Sequence, residues 1–188
     1  RPDIRIPIPP ELPTRLNGEK LEKIERRAKY LLWHFTGNEV ALLHLGMSGR
    51  IKVLPAWPND YAAHDHVIFR FQSGKAAVFH DPRRFGLVTL APAGDLALHP
   101  LLAHLGPEPL DEEVFTADYL YRLCQQRTQA IKPLIMNQEV VVGVGNIYAC
   151  EALHRAGINP ERSANKINKK DIVKLVRQIR YVLNDAIS

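Results

Sequence analysis

Apolar and polar positions repeat with two different periods along this chain, and the change of period divides it. From His64 to Phe71 (HDHVIFRF), Val67, Phe69 and Phe71 fall on one face, the period of a half-buried strand. Ser73-Gly74 then predicts a hairpin turn into KAAVF. Upstream, Lys23 to Phe35 (KIERRAKYLLWHF) becomes rich in strand formers. Glu39 to Leu45 (EVALLHL) is a short apolar run, and GMSG turns the chain into RIKVL. Short strands broken by Gly and Pro predict a sandwich or barrel. The stretch APAGDLALHPLLAHLGPEPLDEE is Pro-rich, ends acidic and reads as a connector. Beyond it the pattern is helical. Asp118 to Arg127 is one predicted helix, and Asn146 to Arg155 another with Gly157 as its C-cap. Ile172, Leu175, Val176, Ile179, Leu183 and Ile187 recur at helical spacing behind Asn168 as N-cap and Asp171 in the first turn.

Composition changes this picture little. A hydrophobic share of 46% in 188 residues is enough to bury a core. Lys and Arg outnumber Asp and Glu by 25 to 20, and the pI is about 9.3, which fits a polyanionic partner. Cys124 and Cys150 lie far apart without CxxC spacing, so neither a disulfide framework nor a zinc site is readable, and reduced, mostly buried thiols in a cytoplasmic protein are expected. No apolar run reaches membrane-span length. The opening RPDIRIPIPPEL reads as mid-chain sequence and predicts residues upstream of Arg1.

Five stretches carry candidate chemistry. In VVGVGNIYACEAL, glycines precede an Asn that opens a helix. Such a turn brings backbone N–H groups close to an anion, though an ordinary interhelical turn has the same residues. The helices that follow carry Arg155, Arg162, Lys166, Lys169, Lys170 and Lys174, a basic rim of the kind that grips nucleic-acid backbones, or simply a solvated face. HDPRRFG sets two arginines and Phe85 in a loop. Arg pairs bidentately with base edges or phosphates, and an exposed Phe wedges between bases. The plainer alternative packs Phe85 in the core and pairs Asp81 with an Arg. Met47 in HLGMSGR sits between glycines, where a surface turn suits a second wedge. Lys29 in RRAKYLL binds phosphate or donates a proton, or is only a solvated strand residue. In HDH, alternation places His64 and His66 on one face with Asp65 opposite. No third metal ligand is evident, and a histidine donating to phosphate is the better reading.

RRAKYLL, HLGMSGR, HDHV, DPRRFG, HLGPEPL, IKPLIM and VVGVGNIYACEAL stand in the order found in formamidopyrimidine-DNA glycosylases, and the chain resembles that family along nearly its whole length. The resemblance implies an α+β protein: an N-terminal β-sandwich, residues 1–106, followed by a helical helix–two-turn–helix DNA-binding domain, residues 107–188. Duplex DNA carrying an oxidised purine (8-oxoguanine or a formamidopyrimidine) would be the partner. The target base would be flipped out of the stack. It also implies a base-excision glycosylase and AP lyase working through a Schiff base formed by an N-terminal proline amine, with β,δ-elimination. Lys29 corresponds to the lysine that gives a proton during β-elimination. Met47, Arg83 and Phe85 correspond to the set that fills the hole left by the flipped nucleotide, with Arg83 facing the widowed cytosine. His44, His64, Arg127 and Asn146 correspond to DNA contacts, with Lys132 and Tyr148 near them.

Two departures from the family follow. The Pro-Glu start is absent, and Pro2 lacks its context. The C-terminal zinc finger, its four cysteines and an arginine are absent too, so a structural zinc is expected only in the longer parent, with no metal here. This stretch alone is expected to be inactive and monomeric, and its parent to work in the bacterial cytoplasm at the nucleoid. Two alternatives stay open: a non-catalytic DNA-binding module, or an endonuclease VIII-like glycosylase for oxidised pyrimidines. DPRRFG favours the purine branch.

Overall fold

The computed structural model describes residues 4–187. Pro2 and Ser188 lie outside the described residues. The chain divides into two compact units, Arg1–His99 and Pro100–Ser188.

Among the described residues the first unit holds a short helix, α1 (Leu12–Leu16), and seven strands: β1 (Leu21–Arg27), β2 (Tyr30–Phe35), β3 (Glu39–His44), β4 (Arg50–Leu54), β5 (Asp65–Arg70), β6 (Ala76–His80) and β7 (Leu87–Pro92). They form two antiparallel sheets, ordered β1-β2-β3-β7 and β4-β6-β5. Trp33, Phe35, Leu43 and Val88 from the first sheet meet Val67, Phe69, Ala77 and Phe79 from the second in one core. The Trp33 and Phe69 rings lie 4.9 Å apart. Burial of each Val, Leu or Phe among them contributes ~1.5–3 kcal/mol. The predicted period-two face is therefore the inner face of a sandwich. β3 is buried along its middle on both faces, which is why it reads as a continuous apolar run. Gly74, at φ 83°, turns β5 into β6 at the predicted hairpin.

Two local features differ from the pattern. Lys23 to Phe35 is not one strand: Arg27 pairs with Tyr30, so Ala28 and Lys29 form a two-residue turn, with Ala28 held left-handed at φ 53°. In HDH the register shifts between Asp65 and Val67. This bulge breaks the alternation, so His66 and Val67 are both buried and the two histidines part company.

The second unit is helical: α2 (Ala117–Gln125), α3 (Ile131–Met136), α4 (Asn146–Ala156) and α5 (Lys169–Ile187). Phe115, Leu120, Leu134, Leu153, Ile172, Leu175 and Ile179 lie in its core. Gly157 ends α4 in the left-handed region at φ 70°. Asn168 caps α5 by accepting the Asp171 N–H at 2.9 Å. The predicted stripe on α5 needs one correction at its end. Ile187 is 71% exposed, while Val182 is buried in its place. The division at His99/Pro100 falls ahead of the expected limit at 106/107. Gly106 donates to the Gln138 carbonyl and Val142 to the Pro107 carbonyl, tying the end of the connector into the helical unit.

Candidate nucleic-acid interface

In the β unit, strand register brings four sequence-predicted stretches to one end of the sandwich. Tyr30, His44 and Leu87 are partners across β2, β3 and β7. Arg50, His80 and Asp65 are partners across β4, β6 and β5. Lys29 immediately precedes Tyr30, Gly46–Met47 follow His44, the 81–86 loop leads into Leu87, and His64 precedes Asp65. Residues far apart in sequence thus share one edge because antiparallel pairing folds them there.

The side chains are presented outward. Lys29 is exposed on its turn. Met47 is 73% and Phe85 45% exposed, and the Arg83 guanidinium lies 4.9 Å over the Phe85 ring. Core packing of Phe85 is ruled out, and the carboxylate of Asp81 takes the backbone N–H groups of Arg83 and Gly86.

His44 is prepared as a donor. Its Nδ1 accepts the Gly46 N–H at 3.0 Å, so the ring proton sits on Nε2. Burial holds its pKa below the ordinary histidine value, and the charges of Arg5 and Lys29 push the same way. A neutral imidazole with a fixed Nε2–H suits a phosphate oxygen. Arg5, exposed and bonded through its N–H to the Gly86 carbonyl at 3.3 Å, adds positive charge here. No sequence signal singled it out, because its place depends on the 81–86 loop.

His64 is half-buried. Its ring stands edge-on to His80 at 5.9 Å, and its Nδ1 is buried without a partner among the described residues. His80 Nδ1 lies 2.7 Å from Asp65 Oδ1, and Lys52 Nζ donates to the same oxygen at 2.8 Å. His66 instead reaches the Asp81 carbonyl at 2.9 Å. Burial raises the Asp65 pKa, but the bonds from Lys52 and His80 outweigh it and hold the group below the usual carboxylate range. Among the described residues no His, Cys, Asp and Glu group could hold a metal ion.

In the helical unit, the turn before α4 buries Val140, Val141, Val142 and Val144, and Gly143 takes φ 79°. Gly145 is the N-cap and supplies no side-chain cap. The first N–H groups of α4 therefore have no intrahelical acceptor, with Asn146 exposed at their head. Tyr148 and Lys132 are half-buried, Tyr148 against the core. Arg127 sits in the loop after α2. That loop is fastened to 162–165: Asn165 donates to the Arg127 carbonyl, and Ser163 Oγ to the Thr128 carbonyl. Arg127 Nη1 is buried with no partner among the described residues.

Family models place the chain. Residues 1–88 match the formamidopyrimidine-DNA glycosylase N-terminal domain, and residues 105–188 the formamidopyrimidine-DNA glycosylase H2TH domain. The formamidopyrimidine-DNA glycosylase of Stenotrophomonas maltophilia is 48% identical over all of this chain, which covers 68% of that protein. The chain belongs to the formamidopyrimidine-DNA glycosylase family. The Xanthomonas axonopodis pv. citri enzyme of the same name is 49% identical, again with 68% of its length covered. A complex between the Lactococcus lactis Fpg and an abasic site containing DNA superposes with a TM-score of 0.88 at 30% identity, over 94% of this chain. A second Lactococcus lactis Fpg complex, with a FAPY-dG containing DNA, gives the same TM-score, identity and share of this chain. The chain spans 64% and 66% of those two solved chains, less than two thirds of either.

Two further expectations need correction. Of the two cysteines only Cys124 is buried; Cys150 is exposed on α4. The basic rim is also less available than its composition implied. Arg155 pairs with Glu151, Lys169 with Asp118 and Lys174 with Asp171. No helix among the described residues is long and apolar enough to cross a membrane.

Proposed function

We propose that this member of the family is the DNA-gripping part of a base-excision glycosylase and AP lyase that removes oxidised purines from duplex DNA. One observation carries the reading. Met47, Arg83 and Phe85 come from two separate loops, yet stand exposed at one end of the sandwich, with Arg83 stacked on Phe85. Three exposed side chains of this kind suit a gap in a base stack and suit little else in a monomeric surface loop. Once a base is swung out, Met47 and Phe85 would fill its space, and Arg83 would donate to the acceptor edge of the base left unpaired.

His44 Nε2–H, His64, Arg127 and the N–H groups heading α4 at Asn146 would hold phosphates, with Lys132 and Tyr148 shaping that turn. Lys29, exposed on its turn beside His44, would give the proton for β-elimination. Among the described residues no group of His, Cys, Asp and Glu fits the family's structural zinc. The proposal includes a monomer acting at the bacterial nucleoid. The purine branch is favoured over an endonuclease VIII-like reading by the Arg83–Phe85 stack.

Binding to a duplex with a tetrahydrofuran abasic analogue opposite cytosine tests this directly. A clear preference over undamaged duplex is expected, together with affinity that falls steeply with salt. Equal binding of damaged and undamaged duplex would remove the wedge role. A flat salt response would remove DNA as the partner. Borohydride trapping on an 8-oxoguanine duplex, paired with the intact mass of the purified protein, reports whether the same polypeptide also carries the amine nucleophile.

A further inference from the structure

Asp81 is fully buried at the end of the sandwich, with both carboxylate oxygens engaged. Oδ1 accepts the Ser48 hydroxyl at 2.7 Å and the Arg83 N–H at 3.3 Å. Oδ2 accepts the Gly86 N–H at 2.7 Å. Ser48 neighbours Met47, whereas Arg83 and Gly86 bracket the loop that carries Arg83 and Phe85. One carboxylate therefore ties together both loops of the wedge. Its own backbone is fixed as well: the Asp81 N–H donates to the His64 carbonyl at 3.0 Å, and its carbonyl lies 2.9 Å from His66 Nε2. The loops also close on each other without room to slide. A Cβ on Gly46 would lie 2.6 Å from the Phe85 carbonyl carbon, and one on Gly86 2.7 Å from the His44 carbonyl oxygen.

A charged carboxylate buried among neutral donors is costly to leave half-satisfied, so losing one bond loosens the rest. We infer that Asp81 is the positioning residue of the wedge: through Ser48 and the Arg83 and Gly86 amides it sets Met47, Arg83 and Phe85 in the one relative arrangement that enters a base stack. This rests on the wedge assignment above. Asp81 itself touches no DNA in this scheme; it removes the entropy of arranging two loops at the moment of binding.

A double-mutant cycle on the full chain tests it. Affinity is measured for a duplex with a tetrahydrofuran site opposite cytosine and for the undamaged duplex. Variants are Asp81→Asn and Ser48→Ala, each in the natural background and with Met47, Arg83 and Phe85 all changed to Ala. Ser48→Ala frees the Met47 turn from Asp81 and from the Arg83 N–H, which the Ser48 hydroxyl oxygen accepts at 3.4 Å, but leaves the Asp81 bonds to Arg83 and Gly86 in place, so it stays informative if Asp81→Asn folds poorly. Asp81→Asn should lower affinity for the damaged duplex about tenfold in the natural background and less than about twofold in the triple-alanine background, the coupling expected of residues acting as one unit. Ser48→Ala should do the same to a smaller extent. Equal losses in both backgrounds, or equal losses on both duplexes, would overturn the positioning role and leave the wedge assignment standing. No preference for the damaged duplex in the unaltered chain would overturn both.

Discussion

The guanidinium of Arg83 lies 4.9 Å over the ring of Phe85, two positions along the same loop. The stack keeps a cation and an aromatic plane together in the open, where each alone would sample many rotamers. Arg83→Ala should therefore remove discrimination more than grip. Relative affinity for cytosine over other bases opposite an abasic analogue should fall about 10- to 100-fold, the worth of a good bidentate contact to a base. Affinity for undamaged duplex should hold nearly constant. A uniform loss on every duplex would place Arg83 on the phosphates instead.

Gly86 is where close approach decides the residue. An added Cβ would meet Phe79 Cζ at 2.5 Å, the His44 carbonyl oxygen at 2.7 Å and an Asp81 carboxylate oxygen at 3.1 Å. The carbonyl belongs to a paired strand and cannot give way. Gly86→Ala should cost ~1–3 kcal/mol, as overpacking does. Gly94→Ala, with nothing within 4 Å and an ordinary φ, should stay within ~0.5 kcal/mol of the parent. Urea titration of both variants checks the contrast; equal midpoints would mean the 81–86 loop yields freely.

These contacts also mark how far the sequence could be read. Val67, Phe69 and Phe71 were legible as an inner face because a strand's period is local, and Gly157 and Asn168 because caps are local. GMSG was legible as a surface turn and DPRRFG as a loop for the same reason, whereas the exposure of Phe85 was not. What joins them was not. Ser48 and Asp81 are 33 residues apart, and nothing in either stretch names the other. The bulge at Asp65 was hidden as well, since His66 obeys the alternation in sequence and leaves it only when β5 pairs with β6. Arg127 stood out by motif alone; its buried nitrogen depends on the loop's anchorage to 162–165.

Asp81 and Asp65 should make the β unit acid-sensitive. At Asp81 burial raises the pKa, but the bonds from Ser48, Gly86, Arg83 and Arg84 outweigh it and hold the group below the usual range. At Asp65 burial is likewise outweighed, by Lys52, His80 and the Ala62 N–H. A folded-state pKa below the unfolded value means stability that is fully present above the unfolded value, ~3.9, and lost as pH falls through the folded one. Unfolding midpoints should be level from neutrality down to about pH 5 and drop steeply below about pH 4. In Asp81→Asn the acid drop should be shallower. A parent curve and a variant curve of equal steepness would deny Asp81 any part in it.

The two cysteines should separate under alkylation. Cys124 is buried in the helical core, and burial pushes its thiol up to about 11, so almost no thiolate is present near neutral pH. Cys150 is exposed on α4. Iodoacetamide at neutral pH should label Cys150 alone, giving one adduct by intact mass and a second only after denaturation. Two adducts on the folded protein would show that the helical core opens readily.

Arg127 offers the cleanest test of a phosphate contact. Its Nη1 is buried with no partner among the described residues, while its backbone is pinned by Cys124 and Asn165. A guanidinium nitrogen held out of water and unpaired is costly unless an anion completes it. Arg127→Ala should therefore weaken binding to every duplex alike, damaged or not. It should also flatten the plot of log affinity against log salt by about 0.9, the release of one condensed counterion. The same change should leave folding intact or improve it slightly, because an unsatisfied buried donor is removed. Lower stability with an unchanged salt slope would make Arg127 a strut of the helical unit, and the phosphate contact would then have to come from Asn146 and the start of α4.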